Sequence, residues 1–211
     1  MIDAPKLPTH LTPLTSATLE SGLALENAEV GHLDWSGGEL RRLSLDAVRL
    51  VAPQWLGTKL RDGAWADVLI EGGALAGAEL AGTTLRRVEF RRVRADGLVV
   101  SETRAGHIRL IDTKLDLANF RFAQWSKVRF EGCSLREVEF IGAELSQVEF
   151  VNCELIGCNF AGAKLTQVDF RSSRLGECTG TAGLRGATLD QTQLISLAPS
   201  LAAELGIIVA D

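Results

Sequence analysis

Few side chains in this 211-residue chain could do chemistry. Cys133, Cys153, Cys158 and Cys178 are its nucleophiles and soft ligands, His10, His32 and His107 its imidazoles, and tyrosine is absent. A zinc site would space its thiolates as C-x-x-C pairs or bring histidines near them. No C-x-x-C occurs and the histidines fall elsewhere in the chain, so no metal or cofactor is expected. Glu137 and Glu139 have the spacing of a carboxylate pair. General acid–base work also needs a cleft that desolvates such a pair. Neither a G-x-x-x-x-G-K phosphate loop nor a G-x-S-x-G nucleophile turn is present. The expectation is a chain that is not an enzyme.

The elements that carry these residues follow one rule. Every fifth residue from Leu25 to Leu175 is apolar, 31 positions in a row. At 46 % hydrophobic content, chance gives such a run about once in 10^10 tries. Period five belongs to neither a helix (3.6) nor a plain strand (2.0). Call each fifth residue a centre. Two residues before it stands a small or β-branched residue, such as Ala118, Val128, Cys133 or Ala143, and between them a polar one, such as Asn119, Glu139, Glu144 or Asp169. In, out, in is strand logic. The other two residues, often glycine or polar, turn a corner. Stacked coils of such units bury a continuous core and satisfy backbone groups between neighbours.

Ala118-Asn119-Phe120, Cys158-Asn159-Phe160 and Val168-Asp169-Phe170 give the clearest form of the motif. In these residues the chain resembles the pentapeptide-repeat family, with its loose A(D/N)LXX motif, over roughly residues 23–194. The resemblance implies an all-β fold: a right-handed quadrilateral parallel β-helix of four blocks per coil, with a short C-terminal capping helix. Residues 1–24 are expected as an N-terminal cap and irregular first coil, 25–194 as the β-helix, and 195–211 as the helix. Leu14 and Leu19 are out of register, implying an extra residue near 20–24, and the register shifts again after Gly180. Leu197, Leu201 and Leu205 form an i, i+4, i+8 stripe that would seal the rod. Family resemblance also implies that this end can join a homodimer, and capping and dimerisation both stay open.

Four blocks per coil make residues 20 apart neighbours. Phe90, Leu110, Phe130, Phe150 and Phe170 should then form one inner column, Phe120, Phe140 and Phe160 another, and Trp35 should stack on Trp55. Ala95, Val100 and Ala105 underfill one coil, with Trp125 above Ala105 as compensation. Residues 94–107 are therefore expected to be the least regular stretch. Cys133 and Cys153, and Cys158 and Cys178, become neighbours whose parallel side chains disfavour a disulfide, so each thiol reads as a small inward hydrophobe.

Function must then reside in outward residues. Net charge is -5, pI about 5.3, and nothing globally basic points to direct nucleic-acid binding. No apolar run is long enough to span a membrane, and the first residues lack a basic region followed by an apolar stretch. A cytoplasmic protein with reduced thiols is expected. Along the chain, residues 1–85 carry net -5, 86–129 net +6 and 130–154 net -5. Candidate contact residues are the acidic Glu131, Glu137, Glu139, Glu144, Glu149 and Glu154 and the basic Arg87, Arg109, Lys127 and Arg129, with Leu197, Leu201 and Leu205 for the dimer or cap. A weaker option, nucleic-acid binding through the basic waist, lacks outward stacking aromatics except Phe122, which sits at an outward corner beside Arg121 and Leu117 and could mark a small contact patch. A rigid protein–protein interaction rod with an unknown partner fits best. The family resemblance implies an alternative, a DNA mimic that binds DNA gyrase or topoisomerase IV and protects against quinolones, although the basic waist interrupts an acidic face.

Overall fold

The computed structural model describes residues 1–14 and 20–208. The chain winds into a parallel right-handed β-solenoid of about nine turns, closed by one helix. Each coil has four faces. Its first two are often drawn as one bent eight-residue strand: β5 (Ser44–Val51), β7 (Ala64–Glu71), β8 (Thr84–Arg91), β9 (Arg104–Ile111), β10 (Gln124–Glu131) and β11 (Glu144–Val151). These follow β1 (Thr12–Leu14), β2 (Ala24–Glu26), β3 (Ala28–Gly31) and β4 (Glu39–Arg41), with β6 (Lys59–Arg61) between β5 and β7. After them come β12 (Glu154–Ile156), β13 (Lys164–Asp169), β14 (Arg174–Gly176), a 3-10 turn at Thr181–Leu184, β15 (Ala187–Thr188) and helix α1 (Gln191–Glu204). The third and fourth faces are mostly single bridges between tight turns, such as Ala74↔Arg94↔Lys114↔Ser134↔Glu154.

From β2 to β14 the pairing register is 20 residues throughout, for example Trp65↔Leu85↔Ala105↔Trp125↔Leu145. All 31 centres are buried, because a strand places them inward and the next coil covers them. The corner between the first two faces is turned in the left-handed region by non-glycine residues: Ala47, Asp67, Arg87, His107, Lys127, Gln147 and Gln167, with φ between 53° and 58°. Such backbone costs about 1–3 kcal/mol per residue. It persists because the residues on either side of each corner are paired in register with the neighbouring coils.

The predicted columns form. Phe130, Phe150 and Phe170 stack with centroids 4.7 Å apart, Phe140 on Phe160 at 5.1 Å, and Trp35 on Trp55 at 5.2 Å. Residues 94–107 do not form the irregular stretch expected of them. Their ladder runs unbroken, with Arg94↔Lys114, Val99↔Asn119 and Arg104↔Gln124 in register. Trp125 covers Ala105, and its indole N–H donates to buried Thr103 Oγ1 at 2.8 Å.

Both ends depart from the beat. β1 pairs with β3 only 16 residues on, Thr12 opposite Ala28; the expected position of Leu19 lies outside the described residues. At the other end Val168 meets Ala187, one residue short of a full coil, as the shift after Gly180 predicts. Helix α1 begins at Gln191, so Thr192-Gln193-Leu194 is helix and not a last repeat block, and the helix starts ahead of the expected position 195. Residues 1–11 form a strap along the rod. Lys6 N–H donates to Asp67 at 2.8 Å and Asp3 N–H to His107 Nδ1 at 3.0 Å.

Candidate interaction surface

Several hydroxyl and thiol residues two before a centre share one type of hydrogen bond. Thr58 Oγ1 donates to Trp35 carbonyl at 2.8 Å and Ser173 Oγ to Phe150 carbonyl at 2.8 Å, both 23 residues back. Cys133 meets Leu110 carbonyl at 3.4 Å, Cys158 meets Leu135 carbonyl at 3.0 Å and Cys178 meets Leu155 carbonyl at 3.8 Å by the same step. The thiols therefore stand in a hydroxyl's structural place. All four are free and buried. A hydrogen bond to Cys153 and burial push the Cys133 thiol up, burial pushes Cys158 up, and burial raises Cys178 to about 11. Among the described residues no three of His, Cys, Asp and Glu gather as a metal site.

Gln193 extends the same rule past the last coil. Its side-chain amide donates to Phe170 carbonyl, 23 residues back, and to Ser173 carbonyl at 2.6 Å. It fills the place of the inner side chain of a coil that does not follow. Asp190 and Gln193 form a reciprocal capping box, a sequence signal that the repeat-like Thr192-Gln193-Leu194 obscured. Of the predicted stripe, Leu197 is buried against the rod and Leu201 packs partly on it, but Leu205 ends the helix 76 % exposed. Leu194 and Ile195, 53 % and 67 % exposed, share the outward side with Leu205.

Folding at a step of 20 pairs charges that the linear bands keep apart. On the second face Arg49 bridges Glu29 and Glu71 at 2.9 and 2.6 Å. Arg109 and Arg91 hold Glu89, which is buried, and Arg129 holds Glu131 and Glu149 at 3.0 and 2.6 Å. Elsewhere Lys164 meets Glu144 at 2.7 Å, Arg136 and Arg174 both meet Glu154 at 2.8 Å, and Arg121 meets Glu139 at 3.6 Å. Arg87 Nε donates to Asp67 at 2.6 Å, and this bond holds the Asp67 carboxyl below the usual carboxylate range. Of the expected contact residues, Glu137 and Lys127 stand exposed with no ion pair among the described residues. A groove of about 760 Å³ lies under Met1 and Ile2 and is floored by Arg109, Arg129 and Glu149 of the ladder. Its floor is polar and internally paired.

Residues 112–179 match the family model of the pentapeptide repeat region, and the same beat continues through the coils on both sides of that stretch. Over that stretch the chain is similar to this family, and its β-solenoid matches the pentapeptide-repeat fold. A full-length plasmid-mediated fluoroquinolone resistance protein, QnrB1, superposes with a TM-score of 0.51 at 22 % identity, covering 93 % of this chain and all of that one. HetL, a pentapeptide repeat protein involved in heterocyst differentiation regulation from the cyanobacterium Nostoc, gives 0.31 at 20 % identity over 80 % of this chain and 84 % of that one. Comparison with curated protein sequences finds no match. At these identities the likeness concerns the fold. No helix among the described residues is long and apolar enough to cross a membrane.

Proposed function

We propose that the chain is a non-enzymatic, rigid rod that works by binding another protein. One observation carries this reading. Its reactive side chains are consumed by the repeat, the thiols as hydrogen-bonded wall residues, while side-chain identity varies freely only on the outward faces. A rigid surface with fixed charges steers association and sets specificity at low ordering cost. Affinity capture from the native lysate, with gyrase subunits probed explicitly, tests it. A reproducible protein partner is expected, and capture of nothing above a scrambled-surface control counts against the rod.

A second reading, a DNA mimic acting on DNA gyrase or topoisomerase IV, is favoured by the fold shared with a fluoroquinolone resistance protein. Charge density weighs against it. Duplex DNA carries one charge per about 1.7 Å, and a coil rises about 4.8 Å, so a mimic needs about three free carboxylates per coil. Five of the six candidate glutamates are paired with arginine or lysine. Inhibition of gyrase supercoiling, or relief of quinolone poisoning, at micromolar protein would revive this reading. For self-association, the outward Leu194, Ile195 and Leu205 are the better dimer candidates, with Leu197 and Leu201 acting as the cap.

A further inference from the structure

Once the ladders are paired off, a group of like charges stands together with no salt bridge among the described residues. Arg86 and Arg104 on the first face, and Lys127 at its corner with the second, are exposed, and none forms an ion pair among the described residues. Arg104 has only a 3.4 Å hydrogen bond from Nε to Gln124. The three sit on successive coils, with Arg86 in register with Gly106 and Ser126, and Arg104 with Thr84 and Gln124. They span about 10 Å along the axis. The outward residues between them, Thr84, Gly106 and Ser126, are short, so the cations rise from a shallow floor.

Phe122 borders this island on one corner, 59 % exposed and held at φ 57°. The fold does not demand it: the same corner one and two coils on is Gly142 and Gly162. A large ring in water on left-handed backbone is unfavourable on both counts, and exposed aromatic and arginine side chains are the usual anchors of protein interfaces. On the opposite corner Asp3 of the strap meets His107. Along the axis the island is bounded by Asp46, two coils before Arg86, and by Glu144, two coils after Arg104. Glu102 borders it beside Phe122.

We propose that this island docks a short acidic segment of a partner protein, with Phe122 packing against an apolar residue of that segment. The proposal rests on the interaction-rod reading and supplies the partner's chemistry. Alternate carboxylates of an extended segment lie about 7 Å apart, within reach of long cationic side chains on adjacent coils. Nucleic acid fits less well. A longer polyanion would run onto Asp46, Glu102 and Glu144, and a single aromatic gives no series of stacking platforms.

A displayed library of random dodecapeptides, selected on the immobilised full-length protein, tests this directly. Selected peptides are then measured by fluorescence anisotropy against wild type, the Arg86→Glu/Arg104→Glu/Lys127→Glu triple variant, Phe122→Ala and, as a control on another face, Arg174→Glu. Expected are peptides carrying several Asp or Glu and an apolar residue. They should bind the triple variant at least ~10-fold more weakly, lose affinity with Phe122→Ala, weaken with salt and ignore Arg174→Glu. Peptides without acidic bias, equal binding by the triple variant, or displacement by equimolar duplex DNA would overturn the proposal. If the triple variant does not fold, Phe122→Ala and the single Arg104→Gln carry the same comparison. A native partner captured equally by wild type and triple variant sinks this inference and leaves the rod standing; no partner for wild type sinks the rod itself.

Discussion

At the residue scale, the cysteines show how a repeat reassigns chemistry. Their inward, small-residue role is legible from the spacing of Cys133, Cys153, Cys158 and Cys178. The hydrogen bond that Cys133, Cys158 and Cys178 make 23 residues back is not, because it depends on how one coil's inner side chain meets the previous coil's carbonyl. No fast-reacting thiol is expected when native protein is titrated with a disulfide reagent near neutral pH: all four thiols are buried, burial raises Cys158 and Cys178, and Cys153, lowered by its hydrogen bond with Cys133, is shut inside the wall with that partner. Cys158→Ser should retain the fold because Ser173 makes the same bond, whereas Cys158→Leu should overpack the wall by about 1–3 kcal/mol, read as a fall in denaturation midpoint. Asp67 gives the pH dependence. Its carboxyl is held low by Arg87, so its contribution is full above the ordinary pKa of 3.8 and is lost as pH falls through the depressed value. Asp67→Asn should cost about 1–3 kcal/mol at neutral pH and shrink the acid-induced loss. It should also expose residues 1–11 to protease, since Asp67 accepts from Lys6 N–H.

At the element scale, the β-coils were readable and the two ends were not. Coils were readable because period five is stated by 31 consecutive residues. The strap has no period; its contact with His107 spans 104 residues and rests on two side chains. The helix start was hidden because Thr192-Gln193-Leu194 satisfies both the repeat template and the first turn of a capped helix. Packing favoured the helix, whose Gln193 completes the last coil's hydrogen bonds and whose Leu197 covers its core. Leu197→Ala should destabilise by about 2–5 kcal/mol, and hydrogen exchange should rise first in the final coil. The unbroken ladder at 94–107 depends on Trp125. Trp125→Ala should therefore cost about 3–5 kcal/mol and should loosen exchange protection in residues 94–107 ahead of the coils on either side.

At the scale of the whole molecule, a linear reading of charge mistook sequence neighbours for spatial ones. Residues 86–129 are basic and 130–154 acidic along the chain, yet Arg129 stacks on Glu149, Arg136 reaches Glu154 and Arg109 reaches Glu89. Most of the waist and the acidic band cancel in ladders running along the rod. The outward corner position of Phe122 is legible in the sequence, whereas the survival of Arg86, Arg104 and Lys127 after the cancellation depends on the pairing register. Exposed ion pairs contribute about 0–1 kcal/mol each, so raising salt should lower the melting temperature only slightly while weakening partner binding strongly. The proposed rod acts through its outward faces by holding another protein. The most direct measurement is quantitative affinity capture from native lysate on wild-type protein and on the Arg86→Glu/Arg104→Glu/Lys127→Glu variant, at low and high salt. The account predicts a defined protein partner on wild type that is lost with the variant and with salt. Capture of nothing above background on wild type would contradict it, whereas a partner held equally by the variant would overturn only the docking site at Arg86, Arg104 and Lys127.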